Sequence, residues 1–529
     1  MQRERISTVK GHRYRQIVKS VWDSEKKRSR TVVVKHLGPV VEDRAGKLRT
    51  SIRIDGVEKA CQAGHLALYY SIAREFSLDT CLQQISQDDN VANALMALIF
   101  NQLNNHKPLT KIGPWLNETP IARWMGIEGN TFTKDVLSHA LDSICFTKGD
   151  VTTKYTHAIQ KLASAQWQSK VGMDPAHYYF YYDVARIRYH GTHCPLAEPG
   201  YGPIAKGRPH IGFGLITSKN NHFPIYSTTI KGSIHDSVTF KEIADNLAAW
   251  DMCGLTMIMD RGIMNKKTTM YARENELHVL GGCMETSDEV KNAIRLWNDD
   301  EIEKSTQVFL RASEGEIYYY GWRGKLYGED GLLVITMDPE RRTRERGTRD
   351  RLLYRMRNDK TTLGKNDIRK ELGKIVVPSV GRTGWRIDSD AETDARRADG
   401  RFLLFTTDTK MTPEEVVGAY YQRDEIEKAF RDMNGAGSMG PIRYRLPNHV
   451  DPYLTVICHL AYLIRMGIQW KLKKAKRAES VDQVVEILQE INEVILTSKD
   501  KNITKWTNLT KEQESLVKLF KLNELIPRY

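Results

Sequence analysis

Three acidic residues lie at positions where a folded protein seldom places a charge. Asp183 lies within an aromatic segment, Asp260 directly follows an apolar run, and Glu427 lies in the middle of a predicted helix. Each acid taken singly is compatible with a structural role. Two carboxylates with a third nearby are also the ligand set that holds two divalent cations about 4 Å apart. The set therefore indicates in-line attack on a phosphate ester, in which one cation activates a hydroxyl group and the other stabilises the leaving oxygen.

The carboxylate oxygens also indicate which metal is expected. Hard, oxygen-rich sites favour Mg²⁺, and Mn²⁺ is accepted by the same ligands. We therefore expect two Mg²⁺ ions, with Mn²⁺ as a substitute, bound by Asp183, Asp260 and Glu427. Arg423, one helical turn before Glu427, is expected to bind a phosphate through both arms of its guanidinium group.

The helix that carries Glu427 is predicted to begin at Thr412, because a proline follows this residue and Glu415 completes a capping box. In one continuous helix, residues spaced by near-multiples of 3.6 share a face. The predicted polar stripe contains Tyr420, Arg423, Glu427 and Asn434. The adjacent apolar stripe, which can dock the helix on a sheet, contains Ile426, Phe430 and Met433.

The elements that must position these residues form a mixed sheet. Strand and helix patterns within residues 173–283 follow the order β-β-β-α-β, with strands predicted at 177–187, 211–217, 223–227, 255–259 and 277–280 and a helix at 236–250. This order is that of an RNase H-like fold. A second part of the core is predicted over 401–445, and the intervening residues 284–400 are predicted to be a β-rich insertion.

The predicted insertion contains a run of basic residues. They are Arg341, Arg342, Arg344, Arg346, Arg349, Arg351, Arg355 and Arg357. Aspartates and glutamates are interspersed, so the run is either a solvated helix face or a surface that contacts DNA.

The flanking regions are expected to be a basic hairpin at 1–56, a helical region at 57–172 and C-terminal helices at 446–529, one of them at 481–494. The hairpin, with its turn at Asp23–Lys27, either grips a DNA backbone or is a solvated edge. The helical region is either a DNA-binding region or a plain bundle. The expected fold class is therefore α/β, in full an α+β multidomain chain with an RNase H-like catalytic core.

Composition limits the class of protein. The 529 residues are 40% hydrophobic, which excludes a wholly disordered chain. The net charge of +13 favours a polyanionic partner such as nucleic acid, although a ribosome-bound protein or a basic metabolic enzyme has a similar charge. No signal segment or membrane span is expected, and the seven cysteines include no CxxC pair, which favours the reduced cytoplasm.

Three segments resemble the DDE transposases of prokaryotic insertion sequences, in the branch named after insertion sequence 4. The branch signature is Tyr, two residues, Arg, three residues, Glu, six residues and Lys. The segment YYQRDEIEKAFRDMN has Tyr420, Arg423 and Glu427 at these spacings and Asn434 at the position of the lysine. Asp183 in YFYYDVARI and Asp260 in MIMDRGI resemble the first two acids of the family. RYRQIVKS near the N-terminus and GPIRYRLPNHVDPYLTVICHLAYLI after the helix are also similar to the family.

The resemblance implies an RNase H-like core with an insertion between the second Asp and the Glu. It implies a cut-and-paste transposase that binds terminal inverted repeats and catalyses metal-dependent strand cleavage and strand transfer. The expected partners are double-stranded DNA, as element ends and target, and a second copy of the chain in a synaptic homodimer. The expected location is the nucleoid in a prokaryotic cytoplasm. The residues expected to bind DNA are Tyr420, Arg423, Lys206, Arg208, Arg261 and Asn434.

Two other functions are compatible with the sequence. One is a DNA-binding or domesticated regulator that has lost catalysis, for which Asn434 in place of lysine is the support. The other is a structure-specific nuclease with an RNase H-like fold, which hydrolyses DNA without joining it to a target.

Overall fold

The computed structural model of the chain describes residues 2–10, 12–24, 26–42, 48–50, 55–104, 106–148, 151–172, 179–191, 193–200, 208–219, 221–304, 307–310, 315–358, 372–378, 385–434, 439–440, 442, 444–497 and 502–525. The chain forms two compact units. The first comprises Met1–Ser71, Leu116–Gly126 and Asp482–Tyr529, and the second comprises Ile72–Trp115 and Ile127–Val481.

The strands of the described residues are β1 (Gln2–Val9), β2 (His12–Asp23), β3 (Arg28–Glu42), β4 (Leu48–Thr50), β5 (Gly56–Gln62), β6 (Cys145–Lys148), β7 (Val151–Lys154), β8 (Tyr179–Arg188), β9 (Glu198–Pro199), β10 (Pro209–Ser218), β11 (Pro224–Lys231), β12 (Thr256–Met259), β13 (His278–Gly282), β14 (Val308–Leu310), β15 (Glu316–Leu326), β16 (Glu329–Met337), β17 (Val376–Pro378), β18 (Trp385–Ile387), β19 (Arg401–Thr406), β20 (Asn492–Thr497) and β21 (Ile503–Trp506).

The α-helices of the same residues are α1 (Gly64–Glu75), α2 (Leu78–Ser86), α3 (Asp89–Leu103), α4 (Leu109–Glu118), α5 (Ile121–Met125), α6 (Lys134–Ile144), α7 (Thr156–Val171), α8 (Asp236–Ala249), α9 (Lys266–Glu274), α10 (Asp288–Arg295), α11 (Asp299–Lys304), α12 (Pro339–Asn358), α13 (Ser389–Ala398), α14 (Pro413–Tyr421), α15 (Asp424–Asn434), α16 (Pro447–Pro452), α17 (His459–Lys474), α18 (Val481–Gln489) and α19 (Lys511–Leu519). A π-helical segment, Tyr453–Cys458, joins α16 to α17.

The first unit contains an antiparallel sheet in the order β1-β2-β3-β4. The last paired residues of the β2–β3 hairpin are Asp23 and Arg28, so the turn predicted at Asp23–Lys27 is confirmed. The side chain of Trp22 beside this turn is 65% exposed. The sheet therefore presents both basic and aromatic groups to solvent.

The same unit contains a second sheet, in the order β21-β20-β5, that was not predicted. The helix expected over 481–494 ends at Gln489, and β20 begins at Asn492. The residues that follow, Val494 to Thr497, include β-branched side chains, which favour an extended chain, and they pair with β5. The prediction that residues 446–529 are helical is therefore wrong for this segment. Residues 57–172 likewise begin in β5 and include the β6–β7 hairpin.

The second unit is built on one large mixed sheet in the order β11-β10-β8-β12-β13-β19-β16-β15-β14. Strand β12 is parallel to both of its neighbours, β8 and β13, and the other pairs are antiparallel. The predicted order of three strands, a helix and two strands is confirmed by β8, β10, β11, α8, β12 and β13. The start of the predicted first strand, at 177–178, lies outside the described residues.

Strands β14, β15 and β16 of the predicted insertion belong to this same sheet. Strand β16 pairs with β19 from Leu332 opposite Thr406 to Met337 opposite Arg401. The segment 284–400 also contains α10, α11, α12 and α13, so it is mixed rather than only β-rich. The eight arginines of the predicted basic run lie on α12, and four of them form ion pairs among the described residues: Arg341, Arg342, Arg346 and Arg349.

Helices cover both faces of the sheet. Tyr182 of β8 bonds through its hydroxyl to the hydroxyl of Thr239 on α8, at 2.8 Å. On the opposite face, the rings of Phe213 on β10 and Phe430 on α15 lie 6.3 Å apart, nearly edge-on. Among the described residues, no helix has both the length and the apolar composition that a membrane crossing requires.

A buried polar network ties β11 to the helices around it. The side chain of Gln160 on α7 donates to the carbonyl oxygens of Ser227, at 3.0 Å, and Thr455, at 2.8 Å. The Ser227 hydroxyl bonds to Nδ1 of His459, at 3.0 Å. His459 is fully buried, and this burial lowers its pKa from 6.5 to about 3. The ring is therefore neutral at physiological pH.

Candidate active site

The sheet register brings the first two predicted acids together. In the parallel pair formed by β8 and β12, Tyr182 lies opposite Met259. The next residue on each chain is Asp183 and Asp260, respectively. Neighbouring strands lie about 4.8 Å apart, and residues at the same register position project to the same side. Two residues far apart in the sequence thus occupy adjacent positions at the sheet.

The helix that carries Glu427 covers the face to which Asp183 belongs. Asp183 lies opposite Leu215 of β10, and Leu215 shares its face with Phe213, two residues before it. Phe213 contacts Phe430 of α15, one helical turn after Glu427. Helix α15 also packs against β8 itself. The third predicted acid is therefore on an element that lies over the first.

Asp260 lies where a buried strand emerges from the core. All four residues of β12 are buried, whereas the Asp260 side chain is 47% exposed. Its Oδ1 accepts a hydrogen bond from the backbone N–H of Arg261, at 2.6 Å, and its backbone carbonyl accepts one from Ile263, at 3.0 Å. The turn after β12 thus fixes the carboxylate at the C-terminal end of this central strand.

Arg423 is the principal partner of Asp260. Its Nη1 donates to Asp260 Oδ1 at 2.6 Å and to the Tyr420 hydroxyl at 3.0 Å. Burial lowers the pKa of Arg423, but Tyr420, Asp260 and Asp183 raise it, and the net direction is upward. A permanent positive charge therefore lies between the two aspartates and the start of α15.

Tyr420 supports this arginine from within the core. Its ring lies 5.5 Å from the ring of Phe402, and the guanidinium of Arg423 lies 5.0 Å from the Tyr420 ring. Burial raises the pKa of Tyr420 to about 12. The tyrosine is a neutral, buried group that orients Arg423 in this structure, and its predicted contact with DNA phosphate remains a prediction.

The predicted single helix is two helices. Helix α14 ends at Tyr421, Gln422 and Arg423 form a turn, and α15 begins at Asp424. The Thr412 capping box is confirmed, as is burial of the apolar stripe, which is formed by Ile426, Phe430 and Met433. The polar stripe is wrong as one continuous helical face, because two turn residues, Gln422 and Arg423, interrupt the helix within it.

Glu427 is exposed on α15. Among the described residues, no group of three His, Cys, Asp or Glu side chains is placed to hold a metal ion. Ile426 and Phe430 anchor α15 to the core, which leaves Glu427 on its outer side. The structure therefore brings Asp183 and Asp260 together and places Glu427 nearby, on a covering helix, without completing a three-carboxylate cluster.

The other residues predicted to bind DNA are spread over this unit. Arg208 is exposed directly before β10, and the Arg261 guanidinium lies 5.4 Å from the ring of Phe402. Lys206 lies outside the described residues. Asn434 is the last residue of α15, and its side chain is also outside the described part.

Sequence reasoning missed the ion pair of Arg423 with Asp260. The spacing of Arg423 and Glu427 led to the expectation of a phosphate ligand for the arginine. No local signal connects residues 260 and 423, because the pairing depends on how α14 and α15 pack against the end of β12.

The segment that contains these residues matches a known protein family. The family model described as the transposase DDE domain matches residues 182–464, which include Asp183, Asp260 and Glu427. The match covers more than half of the chain, so the chain belongs to the transposase DDE domain family.

No curated protein sequence gives a significant match. The cryo-EM structure of the piggyBac transposase synaptic complex with hairpin DNA is similar over 81% of this chain and 79% of that chain, with 9% sequence identity and a TM-score of 0.41.

Proposed function

We propose that the chain is a transposase that binds the terminal inverted repeats of an insertion sequence and catalyses metal-dependent DNA cleavage and strand transfer. The observation that carries the proposal is the register of β8 and β12, because it places Asp183 beside Asp260 within the segment that matches the family. We also assign the chain to the branch named after insertion sequence 4, on the basis of Tyr420, Arg423 and Glu427.

The donor set is compatible with a divalent cation. Asp183 and Asp260 offer carboxylate oxygens at neighbouring strand positions, and Mg²⁺ and Mn²⁺ prefer oxygen ligands. Both hydrogen bonds of the Asp260 carboxylate among the described residues use Oδ1, and Oδ2 accepts none. Asp183 and Asp260 would hold the cations together with Glu427. Bound divalent ions would promote deprotonation of the attacking hydroxyl and stabilise the leaving oxygen.

The residues of the chain have separate roles in this proposal. Asp183 and Asp260 would hold the cations, Glu427 would add a third carboxylate, and Glu427 accepts the proton of the attacking water. The water oxygen forms a bond to phosphorus while the bond to the 3′-oxygen breaks. In strand transfer the released 3′-hydroxyl oxygen forms a bond to a phosphorus of the target strand, and the bond from that phosphorus to the 3′-oxygen of the target strand breaks. Arg423 binds a neighbouring phosphate, with Tyr420 orienting its guanidinium group.

The proposed architecture is an RNase H-like core at 173–283 and 401–445, interrupted by residues 284–400. Support comes from the strand order of β8, β10, β11, β12 and β13 and from the placement of α15 on the sheet. Residues 1–56 and 57–172 are proposed to bind the element ends, with 446–529 as a C-terminal region. Lys206, Arg208, Arg261 and Asn434 are proposed DNA contacts.

The proposed assembly is a homodimer that pairs two DNA ends and then a target duplex. It acts on the nucleoid in a prokaryotic cytoplasm. The inverted repeats themselves are to be sought in the genomic DNA that flanks the open reading frame. Their presence on both sides supplies the substrate for the experiment below.

The test uses the purified full chain with labelled duplexes that carry these ends, in Mg²⁺, in Mn²⁺ and in EDTA. We expect nicking at the end and joining to a target duplex, both abolished in EDTA. Asp183→Asn, Asp260→Asn and Glu427→Gln should each reduce cleavage by about a thousandfold or more, as expected for loss of groups at the reacting centre. Glu274→Gln, an exposed glutamate on α9, is the matched control and should cleave like the parent.

Other outcomes separate the alternatives. Binding to the ends without any nicking would favour the regulator, and cleavage without joined products would favour the nuclease. Normal cleavage by the Asp183 and Asp260 variants would show that the assigned site is wrong.

A further inference from the structure

A cavity rich in arginine lies beside the candidate active site. Its volume is about 560 Å³, and it lies between helices α12 and α13 and the ends of β13 and β19. We call it the arginine cavity, after its six lining arginines: Arg261, Arg295, Arg341, Arg344, Arg349 and Arg401. The lining also contains three acidic residues, Glu285, Glu345 and Asp399. The walls therefore carry an excess of positive charge.

The three lining acids each neutralise one lining arginine. Arg349 forms an ion pair with Asp399. The Arg341 Nε lies 2.7 Å from a carboxylate oxygen of Glu345. Arg295 and Glu285 form the third pair, at 2.8 Å. The first pair connects α12 to the end of α13, the second lies within α12, and the third links α10 to the segment before it.

Arg401 has its partner outside the cavity. Its guanidinium binds Asp299 at the start of α11, and the side chain is almost fully buried. Arg401 therefore stabilises the fold, and its charge is already paired with Asp299.

Two arginines remain without an acidic partner among the described residues, Arg261 and Arg344. The Nε of Arg261 is buried and has no hydrogen-bond partner in this part of the chain. A buried donor without an acceptor is costly, so the group is suited to a ligand that supplies one. Arg344 is exposed on α12.

The position of Arg261 links the cavity to the candidate active site. Arg261 directly follows Asp260, and its guanidinium packs on the ring of Phe402, which also lines the cavity. A ligand in the cavity would thus lie next to the edge of the sheet where Asp183 and Asp260 meet. The excess positive charge and the guanidinium groups of Arg261 and Arg344, which have no acidic partner among the described residues, favour binding of an anion with several acceptor oxygens.

We propose that the arginine cavity binds a backbone phosphate of a single DNA strand, held by Arg261 and Arg344. The inference rests on the proposed function and adds a second DNA site to it. A volume of this size accepts one phosphate with part of its nucleotide, as small-ligand sites do.

The test measures binding without catalysis, in EDTA, with the full chain and a fluorescent single-stranded oligonucleotide. Arg344→Gln should weaken binding by about fivefold and make the salt dependence shallower by about 0.7 in the log–log slope, as loss of one phosphate contact requires. Arg355→Gln removes the same charge from an exposed site on α12 outside the cavity, and it should change affinity less than about twofold. Arg261→Gln should match Arg344→Gln.

Equal affinities for the Arg344 and Arg355 variants, with unchanged salt slopes, would overturn the proposal. Inorganic phosphate tests the other source of this anion. Stabilisation of the parent by phosphate at constant ionic strength, absent in Arg344→Gln and without any effect on oligonucleotide binding, would assign the cavity to a free anion and overturn the DNA assignment. Because these assays contain no divalent metal, failure here leaves the cleavage test of the proposed function unaffected, and the reverse also holds.

Discussion

The carboxylate of Asp260 is shared between two possible partners, the arginine it binds here and the cation it is proposed to bind. Arg423 occupies Oδ1, and its charge also acts on Asp183. A guanidinium close to two acids reduces their attraction for any added cation. In the proposed mechanism Arg423 thus both orders the site and weakens cation binding until its guanidinium binds a phosphate.

Removal of this charge should strengthen metal binding. Arg423→Gln keeps a polar group near Asp260, and we expect affinity for Mn²⁺ to rise by about tenfold, which corresponds to about 1.4 kcal/mol. Titration calorimetry without DNA measures this directly. Arg273→Gln, which removes the charge of an exposed ion pair on α9, is the control. Unchanged or weaker Mn²⁺ binding in Arg423→Gln would contradict the shared-carboxylate interpretation.

Individual residues were predictable only where the sequence carries a local signal. Asp183 and Asp260 are recognisable because charge is rare at such strand positions, and the register then shows that they are neighbours. The pairing of Arg423 with Asp260 has no such signal, because it depends on packing between distant segments. The exposure of Glu427 could not be predicted either, because the helical pattern assumed one continuous helix.

At the level of elements, α15 is positioned by a few apolar contacts. Phe430 is 8% exposed and meets Phe213 of β10 nearly edge-on. Because α15 is separated from α14 by a turn, these contacts, rather than helix continuity, fix the location of Glu427.

Truncation of this contact should therefore affect both stability and activity. Phe430→Ala should lower the free energy of unfolding by about 3 kcal/mol, since a large buried ring is replaced by a cavity, and should reduce cleavage. Phe430→Leu fills most of the space and should lose less unfolding free energy and less cleavage activity. Denaturant titration and the cleavage assay measure the two effects. Parent-like stability of Phe430→Ala would show that α15 is held by other contacts.

The succession of strands and helices in the core could be predicted because buried strands have dense apolar runs with turn residues between them. The break at Gln422–Arg423 could not, because both flanking segments have helical patterns and no proline or glycine marks the turn. Strand β20 was missed for a related reason: a helical period runs directly into a short β-branched segment, and its pairing with β5 is set by tertiary structure.

At the scale of the whole molecule, stability should depend on the buried His459. Its pKa is about 3 in the folded chain and 6.5 in the reference state, so below pH 6.5 the unfolded chain binds a proton that the folded chain does not. The contribution of the neutral His459 to the free energy of unfolding is therefore fully present above pH 6.5 and decreases on acidification. Below pH 6.5, the free energy of unfolding falls by about 1.4 kcal/mol for each pH unit of acidification.

The measurement compares the parent with His459→Gln, which can still bond to Ser227. Between about pH 7 and pH 5, the parent should lose about 2 kcal/mol more unfolding free energy than the variant, as followed by urea titration. Parallel pH profiles for the two proteins would show that the histidine ring takes up a proton within the fold.

The inserted residues are part of the sheet rather than an appendage to it. Strand β16 supplies hydrogen bonds along the whole length of β19, whose other side is bonded to β13. Excision of residues 284–400 would leave β19 with a row of unsatisfied amide and carbonyl groups, the kind of open edge that promotes self-association. A shortened version of this chain is thus expected to aggregate unless a new strand takes the place of β16, which restricts how such a segment can be gained or lost in evolution.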